Sequence, residues 1–236
     1  MINEAASDKM TGDVDDPLGV IFDMDGVLVD SYRAHLRSWR DTAARHGLAL
    51  TDADFARTFG RTSRDIIRAL WPDRFNDAEV AQFDAAKEAR YREILAEDFP
   101  EMPGASDLIR ALHEAGFRLA IGSSGPPENV ALVLSRLCEG ELFDATVNGT
   151  EVAHGKPNPD VFLTAARKLG IPPSRTAVIE DAPAGVEAAR RAGAVAVGLL
   201  GTAPRERLAE HADVVVDTLT HLSPDSIRRA IERRST

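Results

Sequence analysis

The sequence predicts an α/β protein: a doubly wound, Rossmann-like parallel sheet with an all-helical cap domain inserted after the first strand. Three observations predict it. An apolar run from Leu18 to Phe22 ends in Asp23-Met24-Asp25-Gly26, which reads as a buried strand opening into an acidic turn. From Phe117 to Val216, apolar runs of strand length alternate with stretches of helix length, the pattern of parallel strands covered on both faces. Between these regions the periodicity is helical, with no convincing strand. The 236 residues suffice for one ample core and a smaller second unit. The expected division is a loose N-terminal tail over 1–17, a core over 18–32 and 103–236, and a helical cap over 33–102.

After the opening strand, Ser31 or Asp30 can cap a helix from Tyr32 to His46, with Gly47 in the stop position and Leu36, Trp39 and Ala43 on its inward stripe. Helical segments follow over Thr51 to Phe59, Thr62 to Trp71 and Asp77 to about Glu97. Pro100, Pro103 and Gly104 close this insert, and a helix from Ala105 to Ala115 leads back to the sheet. The alternation then reads as strand Phe117 to Gly122, helix Pro127 to Cys138, strand Phe143 to Asn148, helix Pro159 to Leu169 and strand Thr176 to Glu180. Helix Ala182 to Ala192, strand Ala194 to Leu200 and strand Asp213 to Val216 continue it.

A hydrophobic share of 44% and a charged share of 28% are those of an ordinary globular protein. The formal net charge of −10 argues against nucleic acid and anionic membranes as partners. Cys138 is the single cysteine, so no intramolecular disulfide forms, and it is expected as a packed helix residue. The polar, acidic start lacks the features of a secretory signal, and no apolar run approaches the roughly 18 to 20 residues that span a bilayer. A cytoplasmic protein is expected, a monomer rather than an obligate oligomer.

Side chains alternate along a strand, so Asp23 and Asp25 leave it on the same side, and Gly26 permits a sharp bend just beyond. Two like charges at the mouth of an apolar strand call for compensation, most simply by a divalent cation. Taken alone, the motif also fits a solvated acidic turn that caps the next helix. In such sheets ligands bind beyond the carboxyl ends of the strands. The later exits carry Gly122-Ser123-Ser124-Gly125, Gly155-Lys156-Pro157-Asn158-Pro159-Asp160 and Glu180-Asp181-Ala182-Pro183-Ala184-Gly185.

These four motifs, in this order, resemble the haloacid dehalogenase superfamily. The resemblance implies an Asp nucleophile at Asp23 and a general acid/base at Asp25. Dehalogenases lack the second Asp, and its presence points to phosphoryl transfer. It further implies Ser123 as the phosphate-binding hydroxyl, with Ser124 beside it, Lys156 as the charge-neutralising lysine, and Glu180 with Asp181 as the metal-binding pair. Asp23 and the backbone carbonyl of Asp25 would complete a Mg²⁺ site of hard oxygen ligands. The helical insert resembles the cap of the β-phosphoglucomutase-like branch. His35, twelve residues after Asp23, falls where that mutase has a histidine coupling cap closure to the general acid/base. Gly60-Arg61-Thr62-Ser63-Arg64 resembles its substrate-gripping loop with one residue more, leaving Arg61 or Arg64 as the matching arginine, and Lys87 falls at its cap lysine. His35, one turn from Trp39, also fits a packed helix residue. Lys87, four residues from both Phe83 and Tyr91, lies on the more apolar stripe of its helix. Gly125-Pro126-Pro127-Glu128 departs from the Ser-Lys-Asn that the mutase has after its second motif. The expectation is therefore a Mg²⁺-dependent phosphatase acting on a small phosphorylated metabolite, a sugar phosphate. A mutase-type phosphotransferase and a phosphate-binding or scaffold protein on the same fold are the alternatives.

Overall fold

The computed structural model describes residues 17–58 and 62–234. In chain order its elements are β1 (Gly19–Phe22), α1 (Tyr32–Arg45), α2 (Asp52–Thr58), α3 (Ser63–Leu70), α4 (Asp77–Glu97), α5 (Ala105–Glu114), β2 (Arg118–Gly122) and α6 (Pro127–Arg136). They continue with β3 (Ala145–Val147), α7 (Asp160–Leu169), β4 (Thr176–Glu180), α8 (Pro183–Ala192), β5 (Val195–Leu199), α9 (Arg205–Ala209), β6 (Val214–Val216) and α10 (Pro224–Arg234).

All strand pairs are parallel, in the order β3-β2-β1-β4-β5-β6. Alternation along β1 sends Val20 and Phe22 into an apolar cluster with α5, and Ile21 into a second cluster with α7 and α8. Each strand buries side chains against helices on both faces, which is why β1, β4 and β5 read as unbroken apolar runs. The sheet grows outward in both directions from β1 and β4, so the crevice beyond the ends of these two strands is the expected ligand position. Phe22 pairs with Ile179 and Ile121, which brings the three acidic or hydroxylic exits level with one another.

α1 to α4 form the helical cap around a separate apolar cluster that includes Trp39, Phe55, Ile67 and Phe83. The strongest start signal in the cap is a capping box on α4: Asn76 accepts from the Glu79 N–H at 3.0 Å, and Glu79 accepts from the Asn76 N–H at 2.8 Å.

Several expectations need correction. Ser31 occupies the N-cap position of α1, yet its side chain makes no capping hydrogen bond. Cys138 is exposed and lies beyond the end of α6, not packed within a helix. β3 spans three residues because it is an edge strand paired only with β2, so little of Phe143 to Asn148 is held in the ladder. α9 and α10 were not expected; α10 docks through Ile227 and Ile231, one turn apart on an otherwise charged segment. The tail over 1–16 lies outside the described residues.

Candidate active site

The exits of β1, β2 and β4 and the loop before α7 surround a cavity of about 1000 Å³, roofed by α1, α3 and α4. Asp23, Asp25, His35, Lys87, Ser123, Ser124, Lys156, Glu180 and Asp181 all line it.

On its floor, the Lys156 ammonium donates to Asp23 Oδ1 at 2.6 Å and to Glu180 Oε1 at 2.8 Å. Glu180 Oε2 accepts from the Ala182 N–H at 2.6 Å, and the Thr202 hydroxyl donates to Asp181. Ser123 is buried, and its Oγ accepts from the Gly125 N–H at 3.0 Å, which shapes the loop after β2. Two glycines make this packing possible. A Cβ on Gly26, at φ +81°, would come 2.1 Å from Asp181 Oδ2, and one on Gly185 would come 1.7 Å from Glu180 Oε1.

Asp23, Glu180 and Asp181 present carboxylate oxygens within 4.8 Å of one another, all buried. Burial pushes the Asp23 carboxyl up to about 7, with Glu180 and Asp25 adding to the rise and Lys156 opposing it. Burial, then the charges of Glu180 and Asp23, push Asp181 well above the usual carboxylate range. Burial alone would lower Lys156, but Asp23 and Glu180 hold it above its ordinary value. One ammonium among three buried carboxylates leaves the cluster short of positive charge. This hard-oxygen donor set fits a divalent cation.

Asp25 faces the roof. Its Oδ1 accepts from the Tyr91 hydroxyl at 2.6 Å and lies 3.1 Å from His35 Nε2. Lys87 Nζ lies 3.1 Å from His35 Nδ1, and an ammonium can only donate. The network therefore assigns an accepting Nδ1 and an Nε2–H that donates to Asp25. Burial pushes the Asp25 carboxyl up, but the hydrogen bonds from His35 and Tyr91 outweigh it and hold the group below the usual carboxylate range. Lys87 also donates to Glu88 at 2.7 Å, and its side chain is buried as its stripe implied. His35 is no bland packing residue, for it joins Asp25 to Lys87 while stacking on Tyr91 with centroids 4.1 Å apart.

The structure does not bring Arg64 to the cavity. It is exposed and points to Asp77 at 3.9 Å, while Thr62 and Ser63 from the same loop line the site. Arg61 lies outside the described residues. Sequence reasoning missed Tyr91, Glu88, Arg92, Asn129 and Thr202. Only Tyr91 carried a signal, one turn beyond Lys87 on the same stripe.

A family model for haloacid dehalogenase-like hydrolases matches residues 18–193. The validoxylamine A 7'-phosphate phosphatase of Streptomyces hygroscopicus subsp. limoneus is 33% identical over 208 residues, 86% of this chain and 94% of that protein. The β-phosphoglucomutase of Bacillus subtilis is 33% identical over 188 residues, 76% of this chain and 82% of its own length. A crystal structure of CbbY from Rhodobacter sphaeroides, in complex with xylulose-1,5-bisphosphate, superposes with a TM-score of 0.78 at 28% identity, covering 86% of this chain and 94% of that one. A family match running from the first strand through α8, and relatives matched over most of their own length, lead to one conclusion: this chain belongs to the haloacid dehalogenase-like hydrolases, as a phosphoric monoester hydrolase of the β-phosphoglucomutase-like branch.

Proposed function

We propose that the protein is a Mg²⁺-dependent phosphatase that hydrolyses a small sugar phosphate through an aspartyl-phosphate at Asp23. The observation that carries this reading is the floor of the cavity, where a buried Asp23 is bonded to Lys156 and stands within 4.8 Å of Glu180 and Asp181. Asp23 and Asp181 would hold the ion together with the Asp25 carbonyl. Glu180 stands beside them with its oxygens already on Lys156 and the Ala182 N–H, so it also orients the lysine. When bound, Mg²⁺ supplies the positive charge that lets a phosphate dianion approach a carboxylate.

Ser123 and Lys156 bind the phosphoryl oxygens. A carboxylate oxygen of Asp23 attacks phosphorus as the bond to the sugar oxygen breaks, and Asp25, which takes up a proton from solvent once it leaves His35 and Tyr91, gives that oxygen the proton. Asp25, now a carboxylate, then takes a proton from water as the water oxygen attacks the phosphorus. Asp23 is released and inorganic phosphate leaves. In the present arrangement Asp25 is engaged by His35 and Tyr91 from the roof, so its delivery to the floor is tied to a movement of the cap, residues 33–102. A mutase reading has one observation of its own, the His35 to Lys87 link, but Pro126 brings no ammonium where the mutase branch has a lysine. The test is purified protein against a panel of sugar phosphates, with phosphate release and isomer formation measured together. Isomer formation without phosphate release would overturn the phosphatase reading.

A further inference from the structure

Lys87, Arg92 and Lys156 are the lysines and arginines lining the cavity among the described residues. Lys156 is matched to Asp23 and Glu180, and Lys87 to Glu88. Arg92 differs: among the described residues it makes no ion pair with a carboxylate and a single hydrogen bond, from Nη1 to Asn129 Oδ1 at 2.9 Å. Asn129 is buried in the first turn of α6, and its own amide is fixed because Nδ2 donates to Glu88 Oε2 at 2.7 Å. The core thus holds the guanidinium by one nitrogen and leaves the Nε and Nη2 donors as a side-on fork. A fork of this kind matches two acceptor oxygens, those of a carboxylate or of a vicinal oxygen pair on a sugar.

The position of Arg92 gives the fork a purpose. It shares the lining with Ser124, Gly125 and Pro126, the loop that follows Ser123. Two turns earlier on the same helix, about 12 Å along its axis at 1.5 Å per residue, Asp84 also lines the cavity, with Oδ1 buried and without a hydrogen-bond partner among the described residues. α4 therefore carries a carboxylate acceptor, Asp84, toward one end of this cavity wall and the donor fork of Arg92 toward the other, with Lys87 and Glu88 paired between them. We propose that Arg92 is a specificity-determining residue that grips a pair of acceptor oxygens at the non-reacting end of the substrate. The proposal rests on the reading of the cavity as a site for a phosphorylated metabolite.

The test is calorimetric binding to the Asp23→Asn variant, which needs no turnover, with inorganic phosphate, glucose 6-phosphate, fructose 1-phosphate and 3-phosphoglycerate as probes. At least one organic phosphate is expected to bind ten or more times tighter than inorganic phosphate. Adding Arg92→Ala should remove that advantage while leaving the affinity for inorganic phosphate unchanged, and Arg92→Lys should not restore it, since an ammonium lacks the fork. A preference for 3-phosphoglycerate identifies a carboxylate, and a preference for either sugar identifies a vicinal oxygen pair. Three results overturn the proposal: no organic phosphate binds tighter than inorganic phosphate, the advantage survives Arg92→Ala, or the affinity for inorganic phosphate falls equally. Failure of the phosphatase reading is a separate result, the absence of phosphate release by the wild-type protein from probes that bind.

Discussion

Asp23 and Asp25 leave the same strand two residues apart and enter different surroundings. Asp23 meets the floor, where burial and neighbouring carboxylates raise it to about 7, and Asp25 meets the roof, where His35 and Tyr91 hold it ionised. This split matches the roles proposed for them, a nucleophile that depends on nearby positive charge and an acid/base that the cap keeps unprotonated until it moves. Asp23→Asn is expected to lower phosphate release by roughly 10³-fold or more while leaving the circular dichroism spectrum unchanged. Undiminished release would remove Asp23 from the nucleophile's role. Metal dependence belongs to the same residues: three buried carboxylates beside one ammonium call for another cation. Chelation with EDTA should abolish turnover and added Mg²⁺ restore it, and full activity in a metal-free preparation would contradict the site.

At the scale of the element, α4 does most to connect roof and floor. Its i, i+4 spacing places Lys87 and Tyr91 on one stripe, toward His35 and Asp25, and Glu88 and Arg92 on the next, toward Asn129. Burial pushes the Glu88 carboxyl up, but the Lys87 charge and the bonds from Lys87 and Asn129 outweigh it, so the group sits below its ordinary 4.5. A carboxyl depressed on folding contributes stability that is complete above the unfolded value and is lost as pH falls through the lower folded value. Glu88→Gln should therefore cost about 1–3 kcal/mol near pH 7. The gap from wild type should hold down to pH 5 and close below 4.5. Denaturant midpoints across that range measure it; a gap that widens on acidification would contradict the pairing. α8 makes a second case. Its Gly185 leaves the space that the Glu180 carboxylate fills, so Gly185→Ala should push Glu180 off Lys156 and lower turnover by roughly tenfold or more. An alanine variant with wild-type kinetics would show that the cradle yields without consequence.

For the whole molecule, the question is whether water or a sugar hydroxyl receives the phosphoryl group. A mutase excludes water until the sugar is in place, which demands a firm grip on the substrate's far end. Here Gly125 and Pro126 line that part of the cavity and Arg64 is turned away to Asp77, so among the described residues only Arg92, tied to Asn129, is left to hold the far end, fewer cationic contacts than the mutase loop and cap arginine would give. Hydrolysis is expected to dominate. Supplied with β-glucose 1-phosphate and a trace of glucose 1,6-bisphosphate, the protein should release phosphate faster than it forms glucose 6-phosphate; the reverse ratio would favour the mutase. In the same assay Asp25→Ala should cost roughly 10²- to 10⁴-fold, and His35→Ala less, because the histidine positions Asp25 and Asp25 carries the proton. The sequence by itself determined the sheet, the helical insert and the acidic strand exits. Buried parallel strands must be apolar along their length, and carboxylates that follow such a run stand out locally, as at Phe22-Asp23 and Ile179-Glu180. It also placed Lys87 on a buried stripe, because helical period specifies a face. Only the tertiary structure decided which groups meet on those faces: Tyr91 with Asp25, Asn129 with Arg92 and Glu88, Thr202 with Asp181. It likewise exposed Cys138, shortened β3 at the sheet edge and docked α10. Period reports that a side chain is buried, whereas its partner is set by how elements dozens of residues apart cross, and no local pattern carries that information.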